Sequence, residues 1–244
     1  MEIRKASALV TGGSRGLGAA LGRELAGRGA RVVLVARPSA DLDRTVREIR
    51  QAGGEAHALP ADVGDKEAVY PIAGAAAALV GPIDILVNNA STLGPTPLPL
   101  LLDTACEDLE RVLAVNLVGP FRLTRIVAGS MALRGRGLVL DITSDASIAA
   151  YARWGAYGAS KAALDHLGRI WAEELKDSGV RVLTVDPGEM DTAMHAEAIP
   201  DADRASLAAP RAVAAHLADI VAAAETIPSG TRLEAARWRQ VKAS

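Results

Sequence analysis

The segment Thr11-Gly12-Gly13-Ser14-Arg15-Gly16-Leu17-Gly18 joins a short apolar run, residues 7–11, to an amphipathic stretch of helical length that begins near residue 16. A strand that turns through glycines straight into a helix leaves the first helical N–H groups free, and the helix dipole makes that end partly positive. Glycines allow the sharp turn and let a pyrophosphate approach those donors closely. A glycine-rich turn also marks any tight strand-to-helix junction, so its place in the chain decides what it means.

Working outward, short apolar runs alternate with longer amphipathic stretches almost from end to end. Candidate strands are 7–11, 31–36, 55–58, 84–88, 137–143 and 180–186, with a weaker one at 231–235. Continuous apolar runs such as Val32-Val33-Leu34-Val35 are the mark of parallel strands covered on both faces. Helix-length segments lie near 16–28, 40–52, 65–80, 104–133, 156–178 and 210–224. Within 156–178, Leu164, Leu167, Trp171 and Leu175 form a helical stripe. The alternation predicts an α/β fold: a Rossmann-type, doubly wound, mostly parallel seven-stranded sheet with helices on both faces. The chain shows no internal repeat, low-complexity tract or linker, so a single domain is expected over 1–244, with a core of 5–235 and a polar tail of 236–244.

In that setting the glycine turn reads as a phosphate cradle built from Gly12, Ser14, Arg15, Gly16, Leu17 and Gly18. Folds that select NAD place an acidic residue about 20 positions further on, to bind the adenine ribose. Counting 37 − 18 = 19 from Gly18 lands on Arg37, preceded by Ala36, and no carboxylate is available. Arg37 with Arg15 can clamp a 2′-phosphate instead, which makes NADP(H) the expected cofactor.

The rest of the composition narrows the function. The 244 residues are 50% apolar and 23% charged with a net charge of −2, which gives no footing for nucleic acid or an anionic membrane surface. The one cysteine, Cys106, suits a reducing compartment and reads as a buried or half-buried helix residue. The uncharged part of 68–83 is too short for a membrane span and contains Pro71 and Pro82, so it reads as a buried Ala-rich helix. The first strand follows Lys5 at once, and a cytoplasmic location is the expectation. The four histidines lack metal-ligand spacing and no metal site is expected. Arg237, Arg239 and Lys242 read as a solvated terminus.

The loop, Asp62-Val63, Asn88-Asn89-Ala90, Asn116, Ser144, Tyr157-Gly158-Ala159-Ser160-Lys161 and Pro187-Gly188 with Thr192 together resemble the short-chain dehydrogenase/reductase family, in its order and spacing, over about residues 5–235. The resemblance implies an oxidoreductase that passes hydride between NADP(H) and a carbonyl or alcohol. It implies Asn116, Ser144, Tyr157 and Lys161 as the catalytic set, and Asp62, Val63, Asn89, Ala90, Ser91, Pro187, Gly188, Met190 and Thr192 as further cofactor contacts. Tyr157 and Lys161, four apart on one helix face, would let an ammonium lower the phenol's pKa toward the working range of a general acid. Short local matches around 89–94, 153–157 and 187–192 look like sepiapterin and benzil reductases. A 3-oxoacyl thioester reductase of the same family and a catalytically silent dinucleotide-binding protein are the alternatives.

Two departures stand out. Ser91 occupies the place of a usual family glycine, which is tolerable where the backbone φ is negative. The family's glycine pair near the last strand is missing, which bears on the tetramer interface, although apolar positions on 104–133 and 156–178 still point to a homodimer or homotetramer. Tyr151, Trp154, Met190 and Met194 are expected to line the substrate side with Ser144 and Tyr157, Trp154 and the methionines forming an apolar wall.

Overall fold

The computed structural model describes residues 1–239; residues 240–244, Lys242 among them, lie outside it. Strands β1 (Ser7–Thr11), β2 (Arg31–Ala36), β3 (Glu55–Pro60), β4 (Ile85–Asn88), β5 (Gly137–Ile142), β6 (Val180–Asp186) and β7 (Arg232–Glu234) form one sheet in the order β3-β2-β1-β4-β5-β6-β7. Every pairing is parallel. Each connection crosses a face of the sheet before the chain re-enters it, so no hairpin introduces an antiparallel strand. β3 runs on to Pro60, beyond the expected end, because an edge strand tolerates a residue without an N–H. β4 starts at Ile85, one residue late: the Asp84 carboxylate accepts from Ser7 N at 3.1 Å and pairs with Arg134 at 3.2 Å.

The helices are α1 (Gly16–Gly27), α2 (Ala40–Gln51), α3 (Lys66–Val80), α4 (Cys106–Leu113), α5 (Gly119–Leu133), α6 (Gly155–Glu174), α7 (Ala193–Ala198) and α8 (Pro210–Ala223). Alternate strand residues feed the two cores. Ala8, Val10, Val32 and Leu34 pack against α1, α2 and α8, while Leu9, Val33 and Val35 face α3, α5 and α6. Where one helix was expected over 104–133, a π-helical turn at Ala114–Val118 separates α4 from α5. The wider turn carries Asn116, fully buried, whose carboxamide is engaged across the fold. α6 ends at Glu174, earlier than expected, and the chain then turns through Gly179 at φ +74°.

Cys106 is exposed, not buried, because it opens α4 on the side away from Val112, that helix's one buried residue. The stretch 68–83 falls mostly within α3 and is anchored by buried Val69, Ile72, Ala76 and Val80. By length and composition alone the continuous helical segment Cys106–Leu133 could cross a membrane; in the fold 44% of its most apolar window is buried against the rest of the chain.

Candidate active site

Gly12, at φ +68°, takes a backbone conformation that side-chain-bearing residues rarely adopt, and a Cβ there would lie 2.7 Å from Asn89 Nδ2. A Cβ on Gly18 would collide with the Gly12 carbonyl oxygen, so glycine here is what lets α1 start tight against the turn. Thr11, which the sequence reading passed over, fixes the two halves of the cradle: its Oγ accepts from Asn89 N and Ala90 N, each at 3.0 Å. The Asn89 side chain donates back to Thr11 O at 2.8 Å. Asn89 thus braces the loop as well as facing the cleft. From α2, Thr45 Oγ holds Ser14 O at 3.2 Å.

These elements open onto a cleft of about 1340 Å³ at the carboxyl ends of the strands. It brings together Gly12, Ser14, Arg15, Gly16, Leu17, Arg37, Asp62, Val63, Asn89, Ala90, Ser91, Tyr157, Lys161, Pro187, Met190, Thr192 and Met194 from the expected set. Arg15 and Arg37 are exposed, and among the described residues neither has an ion-pair partner. Asp41, the nearest acid along the chain beyond Arg37, pairs with Arg44 at 2.7 Å. A glycine cradle at a helix N-terminus beside two free guanidiniums fits a dinucleotide with an extra phosphate. Ser91 has no positive φ, so its side chain sits without backbone strain.

Six expected residues do not line that cleft. Gly18 and Asn116 are buried beneath it, and Gly188 forms the turn after β6 at φ +76°. Trp154 packs edge-on against Tyr157 at 5.6 Å, in an apolar cluster with Leu93, Leu98, Ala146 and Met194. Tyr151 is half-exposed and donates to Asp145 Oδ2 at 2.8 Å. Ser144 donates to the other oxygen of Asp145 at 2.8 Å. Met190 packs into the α1/α8 core and bridges to Ala208, so only Met194 joins Trp154 in an apolar wall.

The buried end of the cleft holds Tyr157, 9% exposed, and Lys161, 2% exposed. Lys161 Nζ donates to Ile142 O at 2.8 Å and lies 5.6 Å from the centre of the Tyr157 ring. Burial pulls the Lys161 ammonium down to about 8, against the pull of Asp141 and Asp165. Burial pushes the Tyr157 phenol up to about 12, eased by the neighbouring Ser144 and Ser91 hydroxyls and aided by the charges of Asp186 and Asp145. The expectation that the lysine lowers the phenol is not met: desolvation dominates, and the charges that act on the phenol are those of Asp186 and Asp145. Arg232, also missed in the sequence, bonds Asp165 and Asp186, each at 3.1 Å, and Ser144 O at 3.0 Å. The only sequence signal for it was a charge inside a short strand.

A doubly wound parallel sheet with a glycine cradle at its first crossover and a buried Tyr–Lys pair in the same cleft belongs to the dinucleotide-type oxidoreductase folds. The short chain dehydrogenase family matches residues 6–203, and the chain belongs to that family. An uncharacterized oxidoreductase of Mycobacterium tuberculosis is 37% identical over 227 residues, covering 91% of this chain and 84% of that protein. The L-xylulose reductase of Bos taurus is 34% identical, covering 93% and 90%. Among solved structures, a short chain dehydrogenase of Burkholderia cenocepacia in complex with NADP is 31% identical with a TM-score of 0.84, covering 96% of this chain and 97% of that one.

Proposed function

We propose that this oxidoreductase reduces ketones or diketones with NADPH, and catalyses the reverse oxidation, using Tyr157 as the proton donor. The observation that carries the reading is the burial of Tyr157 and Lys161 at the inner end of the cleft that begins at the glycine cradle. Bound there, NADPH supplies the hydride to the carbonyl carbon. The N-terminus of α1 and the backbone of Gly12–Gly18 hold the pyrophosphate, and Arg15 and Arg37 pair with the 2′-phosphate. Asp62, Val63, Asn89, Ala90, Ser91, Pro187, Met190 and Thr192 would frame the rest of the cofactor, with Gly188 turning the chain beside them, and Lys161 would hold ribose hydroxyls.

A phenol raised to about 12 is fully protonated at neutral pH, which suits donation to a carbonyl oxygen as that oxygen gains charge. Ser144 turns its proton from Asp145 to the same oxygen and stabilises it. Asn116 supports the site from behind by tying the loop at Thr92 to α6 through Ser160. Trp154 and Met194 offer an apolar wall for the substituent beside the carbonyl, with Tyr151 at its margin. The chain's near-neutral balance gives no electrostatic footing for nucleic acid or an anionic membrane, and the partners in this reading are a small carbonyl or alcohol and copies of the chain itself, in the cytoplasm. The named L-xylulose reductase relative and the NADP-bound neighbour support the carbonyl and cofactor choices.

Cofactor choice is the direct test. kcat/KM measured on diketones, aryl ketones and acetoacetyl thioesters is expected to favour NADPH over NADH. Arg37→Asp should reverse the preference by repelling the 2′-phosphate and offering a ribose partner. Equal or better use of NADH by the unmodified protein contradicts the reading.

A further inference from the structure

Ser144 has one proton to give, and the fold engages it at the next residue. Its Oγ donates to Asp145 Oδ1 at 2.8 Å, and Ala146 N donates to Ser144 Oγ at 3.2 Å. A hydroxyl carries one donor and two lone pairs, so one lone pair is what Ser144 has left to offer. The carboxylate that takes its proton is itself fastened. Ala146 N also reaches Asp145 Oδ1 at 2.8 Å, and the Tyr151 hydroxyl donates to Oδ2 at 2.8 Å. Against partial burial, which pulls the other way, the bonds from Ser144, Tyr151 and Ala146 hold the Asp145 carboxyl below its ordinary value. It is therefore a bare acceptor at neutral pH, and Ser144 must be the donor. Arg232 holds the Ser144 carbonyl at 3.0 Å, which fixes the backbone beneath the side chain.

We propose that Asp145 is a positioning residue that sets Ser144 as a hydrogen-bond acceptor in the resting site, so that the NADPH-bound protein holds an alcohol more tightly than the matching ketone. The role rests on the carbonyl-reductase reading. A bound alcohol accepts from the neutral Tyr157 phenol and donates its own proton to the free lone pair of Ser144. A bound ketone has no proton, and its oxygen meets that lone pair unless Ser144 turns away from Asp145. Turning breaks a charge-assisted hydrogen bond. Charge growing on the carbonyl oxygen offsets this in the transition state, so the penalty falls on ketone binding more than on the chemical step. No covalent bond changes at Ser144 or Asp145.

Reduction of benzil by NADPH is the reporter, with acetophenone and 1-phenylethanol as competing ligands for the NADPH-bound protein. In the unmodified chain the Ki of the alcohol should lie about tenfold or more below that of the ketone, the factor that one charge-assisted hydrogen bond sets. Asp145→Ala frees the Ser144 proton, so the ketone should bind more tightly, the alcohol more weakly, and the ratio should drop about tenfold. Asp145→Asn keeps an uncharged acceptor and should fall between. Tyr151→Phe releases only Oδ2 and should shift the ratio the same way by less. General damage to the pocket raises both constants together. Such a parallel rise in Asp145→Ala, or a ratio unchanged in both Asp145→Ala and Tyr151→Phe, overturns the proposal and leaves the reductase reading standing. No reduction of benzil by the unmodified protein removes the diketone-reductase reading and this role with it.

Discussion

Lys161 is nearly sealed from solvent yet has a carboxylate, Asp141, acting on it from the neighbouring strand. Burial raises Asp141 to about 6, relieved in part by the Asn88 amide at 2.7 Å and by Lys161. Between about pH 6 and pH 8, then, Asp141 is mostly ionised and Lys161 mostly still an ammonium. Above that window Lys161 loses its charge, so NADPH-dependent reduction should decline along an alkaline limb centred near pH 8. Asp141 raises the lysine's pKa, so Asp141→Asn should move the limb to lower pH; a kcat/KM profile shows this, and a limb that stays or rises contradicts it. The four-residue spacing of Tyr157 and Lys161 made their shared helix face legible in the sequence. The depth at which they sit was not, because strand β5, the loop at 91–94 and the segment carrying Met194 supply the walls from far along the chain.

At the scale of elements, β7 is three residues long and draws its hold on the sheet from more than its ladder with β6. Arg232 fastens it to Asp165 of α6, Asp186 of β6 and the Ser144 carbonyl after β5. Replacing Arg232 with Met leaves two largely buried carboxylates unpaired, at a cost of about 3 kcal/mol. For a chain of this size that lowers Tm by roughly 6–12 °C. The variant should also lose turnover through a displaced Ser144. Calorimetry showing an unchanged Tm would refute the clamp. The last strand was the weakest of the sequence expectations because alternation over so few residues carries little signal. The π turn had one hint in the sequence, Asn116 as a buried amide satisfying a helix distortion, and its bond to Thr92 accompanies the wider turn.

For the whole molecule, the glycine turn and the continuous apolar strands were sufficient to foresee a parallel sheet with a nucleotide cleft at its carboxyl edge, because backbone geometry and burial dictate both locally. Association is a property of surfaces. Phe121 at 37% exposure stacks on Trp171 across α5 and α6, and Ile170 at 41% and Leu133 at 92% extend the apolar exposure on these helices. A two-fold helix contact would cover it, and light scattering at micromolar concentration should give at least twice the 25.2 kDa of one chain. A monomer would remove that expectation. The account as a whole turns on the cleft joining a cofactor cradle to a proton donor. Steady-state reduction of benzil or an aryl ketone by Tyr157→Phe, beside an NADPH titration by fluorescence, tests that link most directly. The account predicts NADPH binding little changed and kcat lowered by about 10² to 10⁴ or more. Ordinary turnover by Tyr157→Phe would contradict it.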